Sequence, residues 1–398
     1  MRMGTARALL WLLSAASLAC RADPGAAFVG LSSNNSLVIQ PPSEGQVMIN
    51  GADFGAVLRR LAALERQLSP LHCVTVADTT SIDTGLGVGL KWSGGVLAGN
   101  GKIYGIPYYA DSVLILDPAT NAADRTTITG LFGTSQWADG VLAGNGKIYG
   151  IPRQAQSVLI IDPATNAVDT TTMASLSGSD KWSGGVLADG KIYGIPFTAS
   201  TVLVIDPTTN TTDTTRFTGT PIGVNKWSGG VLAGNGKIYG IPSNATSVLI
   251  IDPKANAVDI SSIANINAGA NKWHGGVLAG NGKIYSVPRL DDAVLVIDPD
   301  SNTAGEIAIG NVYIPQHKWI GTVLAGGRIY GVPYFASQAL ILDPTTNATD
   351  VTTLTNMPGE GKWHGGVLAP NGKIYGIPYD SPNALIIQSA CSLTTGLE

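Results

Sequence analysis

Short apolar runs separated by turn dipeptides recur along most of the chain. In one unit, apolar residues 96–98 precede Asn100-Gly101, and a second run, 103–107, follows it. Asn-Gly between two apolar runs favours a type I′ hairpin turn, because both turn residues need a positive φ. A continuous apolar run over 113–116 then precedes an Asp-Pro-x-x-Asn turn at 117–121. Each unit therefore predicts four short antiparallel strands, which we name A to D.

A tryptophan opens each unit at a nearly constant spacing. Seven of the eight tryptophans lie 45, 45, 45, 46, 46 and 44 residues apart. Four strands in a repeat of this length are typical of a propeller blade. We therefore predict an all-β fold, a seven-bladed propeller over residues 73–391 with a tail at 392–398. The tryptophans are Trp92, Trp137, Trp182, Trp227, Trp273, Trp319 and Trp363.

The two ends of the repeat region predict a shared last blade. The seventh unit stops after its third strand, near Ile387, whereas residues 76–82 match the fourth strand of the second unit. We therefore expect the N-terminal strand to complete the seventh blade. This arrangement closes the ring and removes two free sheet edges.

Residues 1–22 predict a secretory signal peptide. Two arginines precede an apolar run over 8–13 that is too short to span a membrane, and small residues follow the run. Cleavage after Ala22 removes Cys20 and leaves an even number of cysteines, and cleavage after Ala19 is the alternative. We therefore expect a secreted or cell-surface protein without a membrane span.

A separate segment is predicted between the signal peptide and the ring. Residues 23–50 form a linker rich in Pro, Gly and polar residues, with a hairpin predicted between 36–39 and 46–49. Residues 51–70 predict a helix whose apolar positions form a heptad seam over 52–68. Two heptads make a marginal helix on their own. The seam therefore either joins two or three copies of the chain or packs against the propeller.

Part of each unit resembles a known propeller repeat. Lys-Ile-Tyr, followed by Ser-Val-Leu-Ile-Ile-Asp-Pro-Ala-Thr-Asn, is similar to the YVTN-type repeat of extracellular and surface-layer proteins, over the second half of every unit from about 91 to 390. Gly-Ile-Pro stands where that repeat has its signature tetrapeptide, and its pattern lacks the Trp-x-Gly-Gly run. The resemblance implies a propeller in an extracellular setting and supplies neither a substrate nor catalytic residues.

The charge of the chain excludes two classes of partner. Only 13% of the residues are charged and the net charge is −4, so we expect no binding to nucleic acid or to anionic membranes. Lysine precedes six of the seven tryptophans. A ring of lysines would attract sulfated or carboxylated glycans, but we expect these lysines to be solvated beside the frequent aspartates. They are Lys91, Lys181, Lys226, Lys272, Lys318 and Lys362, with Gln136 in the remaining unit.

Variation among the units separates the two faces of the ring. The A–B and C–D turns are nearly identical in every unit (the uniform face), whereas the B–C and D–A loops differ (the variable face). Differing loops on a repeated scaffold usually carry specificity, and aromatic and Arg side chains suit a glycan or a protein ligand. The seven tryptophans are further candidates, or else they pack between blades. The candidate ligand-binding loop residues are Tyr108, Arg153, Phe197, Arg289, Tyr334 and Tyr379.

An enzyme is the alternative function, with His274 and His364 as candidate catalytic residues. Both follow a tryptophan, where the other units have Ser, Ala or Ile. They lie two blades apart with Ile320 between them, so we expect a separation on the order of 10 Å. The sequence shows no metal-ligand spacing, nucleophile triad or phosphate loop, so we expect no metal and no cofactor. A lyase, a lactonase-like hydrolase and a purely structural component of an extracellular layer or appendage stay open.

Four Asn-x-Ser/Thr sequons are expected to be glycosylated if a eukaryotic secretory pathway makes the chain. Two fall in C–D turns of the uniform face and one in a variable loop. Asn210 and Asn347 are the two in C–D turns, Asn244 is the one in a variable loop, and Asn34 precedes the ring.

The two remaining cysteines fall where the chain ends replace a turn of the last blade. Aligned on the second unit, Cys73 is level with Ala164 and Cys391 with Thr165, both in the C–D turn. We predict a Cys73–Cys391 disulfide, and two unpaired buried cysteines are the alternative. Mass spectrometry of non-reduced tryptic peptides should find the linked pair. Free thiols at both positions would contradict the alignment.

Overall fold

The structure, a computed structural model, describes the backbone of residues 28–31, 37–40, 48–49, 52–53, 71–310 and 317–393, and the side chains of residues 75–310 and 317–388. The chain divides into two compact units, residues 75–390 and residues 1–74 with 391–398. The predicted signal peptide, Asn34 and both cysteine side chains lie outside the described residues. Within the described residues, no helix is long and apolar enough to cross a membrane.

Two short hairpins precede the ring. Strand β1 (Phe28–Leu31) pairs with β2 (Leu37–Gln40), and β3 (Met48–Ile49) pairs with β4 (Ala52–Asp53). The structure therefore pairs these segments differently from the predicted hairpin. The pairing of β3 with β4 agrees with the preference of Asn-Gly for a two-residue turn. The predicted helix over 51–70 lies outside the described residues, except that its second and third residues are strand β4.

Seven four-stranded antiparallel sheets form the ring, as the repeat count predicts. Strand β5 is Leu71–Asp78. Blades 1 and 2 contain β6 (Trp92–Leu97), β7 (Ile103–Pro107), β8 (Leu114–Asp117), β9 (Ala122–Asp124), β10 (Trp137–Leu142), β11 (Ile148–Pro152), β12 (Leu159–Asp162) and β13 (Ala167–Asp169). Blades 3 and 4 contain β14 (Trp182–Ala188), β15 (Lys191–Pro196), β16 (Leu203–Asp206), β17 (Thr211–Asp213), β18 (Trp227–Leu232), β19 (Ile238–Pro242), β20 (Leu249–Asp252) and β21 (Ala257–Asp259).

The other three blades repeat the pattern, with shorter inner strands in blade 5. Blades 5 and 6 contain β22 (Val277–Leu278), β23 (Ile284–Ser286), β24 (Ala293–Asp298), β25 (Thr303–Ala308), β26 (Trp319–Ala325), β27 (Arg328–Pro333), β28 (Leu340–Asp343) and β29 (Ala348–Asp350). Blade 7 contains β30 (Trp363–Leu368), β31 (Ile374–Pro378) and β32 (Leu385–Leu393).

The seventh sheet has the strand order β30, β31, β32, β5. Asp78, at the end of β5, accepts hydrogen bonds from the backbone N–H groups of Thr80 and Ser81 at 2.8 and 3.0 Å. Asp124, at the end of the outer strand of blade 1, caps its turn in the same way. The backbone N–H of Ala384 also donates to the carbonyl of Ile82 at 3.0 Å. Residues 78–84 therefore take the position of the turn that follows the outer strand in the other blades.

The inner strands meet around the axis so closely that glycine occupies the contact point in six of the seven blades. A Cβ atom on Gly184 would lie 2.9 Å from the Cα atom of Gly229, and one on Gly321 would lie 2.6 Å from that of Gly365. These glycines also have positive φ angles. Register shifts just after the tryptophans, as between Trp92 and Gly95, mark β-bulges that turn the chain at this level.

The seven tryptophans pack between blades. Each is at most 4% exposed, and the indole N–H of Trp92 donates to the carbonyl of Ser112 in its own blade at 2.8 Å. Trp92 belongs to one buried apolar cluster with Leu114 of its own blade and Tyr375 of the blade before it. A side chain this deeply buried cannot contact a ligand, so the alternative interpretation, packing between blades, is the one that the structure supports.

On the uniform face, the five blades that carry Asn-Gly are each joined to the next blade through one repeated network. The Tyr104 hydroxyl of blade 1 donates to Asn166 Oδ1 of blade 2 at 3.0 Å, and Asn100 Nδ2 donates to the Pro163 carbonyl at 3.1 Å. Blade 7 bonds blade 1 in the same way, because Asn371 Nδ2 donates to the Pro118 carbonyl at 3.0 Å. The Asn-Gly, Lys-Ile-Tyr and Asp-Pro-x-x-Asn motifs therefore act together to hold neighbouring blades side by side.

Candidate functional site

The residue after each strand-B proline is held at the variable face by the next blade. Its carbonyl accepts the backbone N–H of the residue that precedes the next tryptophan, at 2.7–3.1 Å in all seven blades. These bonds fix seven loop positions around the channel mouth. In blade order the positions are Tyr108, Arg153, Phe197, Ser243, Arg289, Tyr334 and Tyr379.

Buried lysines add a second bond to the same loops. Lys181 is 3% exposed, and its ammonium donates to the carbonyls of Arg153, Ala155 and Gly178 at 3.0, 2.9 and 3.1 Å. Burial lowers the pKa of Lys181 to about 8, so the group is still charged at neutral pH. We call this arrangement the lysine clasp. It recurs at Lys226, Lys272 and Lys362.

The other two lysines are also buried, so the expectation of solvated lysines is wrong. Lys91 Nζ donates to the carbonyls of Gly87 and Gly89, each at 3.0 Å. Lys318 is 1% exposed and bonds Asp292 Oδ1 at 3.1 Å. Folded loop carbonyls supply the polar partners that water would otherwise provide. All six side chains are therefore part of the scaffold.

His274 and His364 meet at the centre of the variable face. Their ring centroids lie 4.9 Å apart, with the planes at 87°. The expected separation of about 10 Å is therefore wrong, because the glycine contacts make the channel narrow. Ile320, between them in blade order, is 1% exposed and does not separate the rings. Ser93 Oγ lies 3.3 Å from His364 Nδ1.

Loop tyrosines gather over the histidine pair. The Tyr379 ring lies 5.4 Å from the His364 ring, and 5.7 Å from the rings of both Tyr108 and Tyr334. Arg153 lies over the Tyr108 ring at 5.7 Å from its centroid. The structure therefore brings the predicted loop residues together instead of spreading them around the rim.

Two of the predicted loop residues join this group in different ways. Phe197 is 2% exposed and packs under Arg153, 4.5 Å from its guanidinium carbon, so it supports the arginine. Arg289 donates through Nε to His317 Nδ1, and His317 lies 6.3 Å from the Tyr334 ring. We define the mouth cluster as Tyr108, Arg153, Arg289, Tyr334, Tyr379, His274 and His364. Sequence analysis missed His317, although it directly precedes the repeated lysine position.

The two histidines of the mouth cluster are neutral at physiological pH. Burial, together with the positive charges of Arg289 and Arg153, lowers the pKa of His274 to about 3. Burial and the same charges, with His274, hold the pKa of His364 well below its usual value. Burial also raises the pKa of Tyr379 and lowers that of Arg289 to about 10. The arginines therefore carry the charge of the cluster.

A cavity of about 230 Å³ continues from the histidines into the axial channel. Its walls are the residues after each tryptophan, mainly glycine.

Asp139 takes a position that is glycine in the other six blades, with φ at +69°. Burial raises the pKa of Asp139 to about 6. Within the described residues, no three His, Cys, Asp or Glu side chains are placed to hold a metal ion.

The described sequons differ in exposure. Asn210 and Asn347 are exposed in their C–D turns. Asn244 is half-buried, and its amide accepts the backbone N–H of Asn271 at 2.8 Å and donates to the Val224 carbonyl at 3.4 Å. A glycan on Asn244 would have to fit at this half-buried Nδ2 atom, so the exposed pair suits modification better.

No protein-family model and no curated protein matches the sequence. Solved structures resemble the fold. A streptogramin B lyase is 11% identical, with a TM-score of 0.63 over 79% of this chain and 98% of that chain. Virginiamycin B lyase from Staphylococcus aureus, solved with quinupristin, is 10% identical, with a TM-score of 0.64 over 79% of this chain and 99% of that one.

An extracellular sensor domain is similar to the same extent. The extracellular domain of a putative hybrid two-component system from B. thetaiotaomicron is 10% identical, with a TM-score of 0.62 over 93% of this chain and 53% of that chain. This chain thus matches about half the length of that domain. Likeness at such low identity shows the β-propeller fold alone.

Replacing Asp139 should make the ring more stable at neutral pH. The folded-state pKa of about 6 exceeds the ordinary 3.8, so the folded chain holds this proton more tightly and loses stability as pH rises from 3.8 to 6. Asp139→Asn removes the charge, and Asp139→Gly also relieves the positive φ. Both should raise the unfolding free energy by about 1–2 kcal/mol at pH 7.5, with a smaller gain at pH 4.

Chemical denaturation at the two pH values measures this difference. Asp189→Asn is the matched control, because Asp189 also has a positive φ but is exposed in an A–B turn. A gain for Asp139→Asn that does not depend on pH would show that the buried charge is not the cause.

Proposed function

We propose that the chain is a secreted or cell-surface propeller that binds an extracellular glycan or protein on its mouth cluster, without chemistry. One observation carries the proposal: side chains from loops that differ in sequence converge on one point, while the repeated motifs are used for packing. Repeated residues build the scaffold, and the exceptions to the repeat face the channel mouth. The extracellular domain among the similar structures is consistent with this setting.

The chemistry of the mouth cluster suits both classes of ligand. Tyrosine rings stack against the CH groups of sugars, and their hydroxyls with arginine N–H groups bond sugar hydroxyls. Apolar side chains on the surrounding D–A loops favour a protein partner. Ile222 is 98% exposed, Val88 83% and Phe132 78%. Exposed apolar groups of this size on one face often mark an interaction surface.

The histidine pair is the feature that bears on the enzyme alternative. The two imidazoles lie 4.9 Å apart beside the Ser93 hydroxyl, but their lowered pKa values make both weak proton acceptors at neutral pH, so acid–base chemistry here requires a ligand that raises those pKa values. Both similar lyases are propellers, which is compatible with a lyase or a lactonase-like hydrolase here. Turnover of a bound ligand that His364→Ala abolishes, with binding retained, would favour this alternative.

Several features outside the described side chains belong to the same proposal. We propose that β5 and the Cys73–Cys391 disulfide hold the ring closed, and that residues 52–68 join two or three copies. Joining copies raises the effective concentration of each site. Sedimentation of the full chain measures the copy number, and the mass change on glycosidase treatment measures use of the sequons.

A glycan and cell-surface binding screen tests the proposed site. The paired variant Tyr108→Ala/Tyr334→Ala should weaken binding of any ligand found by about tenfold or more, because both side chains lose their contact area. Lys147→Ala/Lys237→Ala on the uniform face is the control, since both lysines are surface ion-pair partners. Equal binding by the mouth variant would place the ligand elsewhere. A wild-type ring that binds nothing would leave the structural role in an extracellular layer.

A further inference from the structure

Arg289 is a half-buried cation with no carboxylate partner in the part of the chain that the structure describes. Its Nε donates to His317 Nδ1 and its Nη1 donates to Asn271 Oδ1 at 3.3 Å. Burial and the Arg289 charge lower the pKa of His317 to about 4, so that ring is a neutral acceptor. Both partners of the guanidinium are therefore uncharged, and three of its five N–H groups are left for other acceptors.

The acids near Arg289 in sequence are engaged elsewhere. Asp291 accepts the backbone N–H of Ala293 at 3.1 Å and Asn267 Nδ2 at 2.9 Å. Asp292 bonds Lys318. The second arginine of the mouth cluster, Arg153, has a partner in Asp180 at 2.6 Å. The unpaired charge of the cluster is therefore that of Arg289.

A buried charge without a counter-charge is costly, so a site that keeps one usually meets an opposite charge when occupied. Guanidinium binds carboxylate and sulfate oxygens through paired N–H groups. The chain as a whole is acidic, at −4, so the positive mouth is a local feature and not a consequence of the overall charge.

We propose that the ligand of the mouth cluster is an acidic saccharide, whose carboxylate or sulfate binds Arg289 while its sugar ring lies against Tyr108 and Tyr334. This inference rests on the proposed function and specifies its ligand class. Tyr334 and Tyr379 keep their hydroxyl protons at physiological pH, because burial raises the pKa of both. They therefore offer donors, which an anionic ligand needs, and add no negative charge.

Calorimetric titration of the full secreted chain separates the ligand sources. The probes are an oligogalacturonate for the carboxylate, a sulfated galactan oligosaccharide for the sulfate, a neutral galacto-oligosaccharide of the same length and poly-glutamate. At least one of the two acidic saccharides should bind about tenfold or more tightly than the neutral oligosaccharide. Its affinity should fall as the salt concentration rises, because salt screens the charge of Arg289. Poly-glutamate binding as tightly as the saccharides would overturn the saccharide class.

Matched arginine variants test the residue. Arg289→Gln should lower the affinity for the acidic saccharide about tenfold or more and leave the affinity for the neutral saccharide unchanged. Arg289→Lys should lose less affinity than Arg289→Gln, because lysine keeps the positive charge but lacks the planar guanidinium group. Arg216→Gln is the control, since Arg216 pairs with Asp213 beside an outer strand. Melting temperatures check that the variants fold.

Other outcomes separate this inference from the proposed function. Equal affinity of Arg289→Gln and wild type for the acidic saccharide would overturn the inference. If a neutral glycan or a protein from the screen binds and needs Tyr108 and Tyr334 but not Arg289, the mouth cluster stands as a site and the acidic ligand does not. If no probe binds at any salt concentration, the acidic-saccharide assignment fails.

Discussion

A buried ammonium group between blades is the interaction on which the variable face depends. Each lysine clasp joins the start of one blade to the B–C loop of the blade before it, and the same lysine's backbone N–H bonds the loop carbonyl. Loops on a propeller surface are otherwise free to differ in conformation. The clasp allows their side chains to vary while the backbone that presents them is held in one place.

The glycine contacts at the axis set how closely those side chains meet. Because the inner strands approach until Cα atoms nearly touch, two histidines two blades apart come within 4.9 Å. The loop residues above them close into one cluster for the same reason. Burial then removes charge from the imidazoles and leaves it on the arginines. A repeated scaffold thus produces one asymmetric, positively charged point.

Sequence periodicity predicted the blades well, because each turn signal has a direct backbone cause. Gly101 has a positive φ of 79° but Asn100 does not, so the predicted type I′ turn is wrong at Asn100-Gly101, although the glycine still turns the chain there. The period of the tryptophans gives the number of sheets. The expected separation of His274 and His364, on the order of 10 Å, was too large, since channel width depends on backbone contacts across blades. The narrow channel also explains why the loop tyrosines of different blades meet, and the sequence of a single unit does not reveal this contact.

Two other features needed the three-dimensional structure. Lysine is rarely buried, so a solvated position was the reasonable expectation. The repetition of lysine at six equivalent places, in a chain with 13% charged residues, was the signal that it belongs to the scaffold. Before the ring, the Asn50-Gly51 dipeptide favours pairing of the segments on its two sides, as β3 and β4 pair, but alternating patterns of similar strength nearby favoured a different pairing.

The most direct test of the account is amide hydrogen exchange in Lys362→Met. Lys362 Nζ holds the carbonyls of Tyr334, Ala336 and Gly359 at 3.0, 2.9 and 2.8 Å, and losing these bonds costs about 1–3 kcal/mol. Exchange should accelerate in the loop over 334–338 and stay unchanged on the uniform face. Lys102→Met, at an exposed lysine, should leave both regions unchanged. Unaltered exchange over 334–338 in Lys362→Met, with unaltered stability, would contradict the claim that the lysine clasps position the variable face.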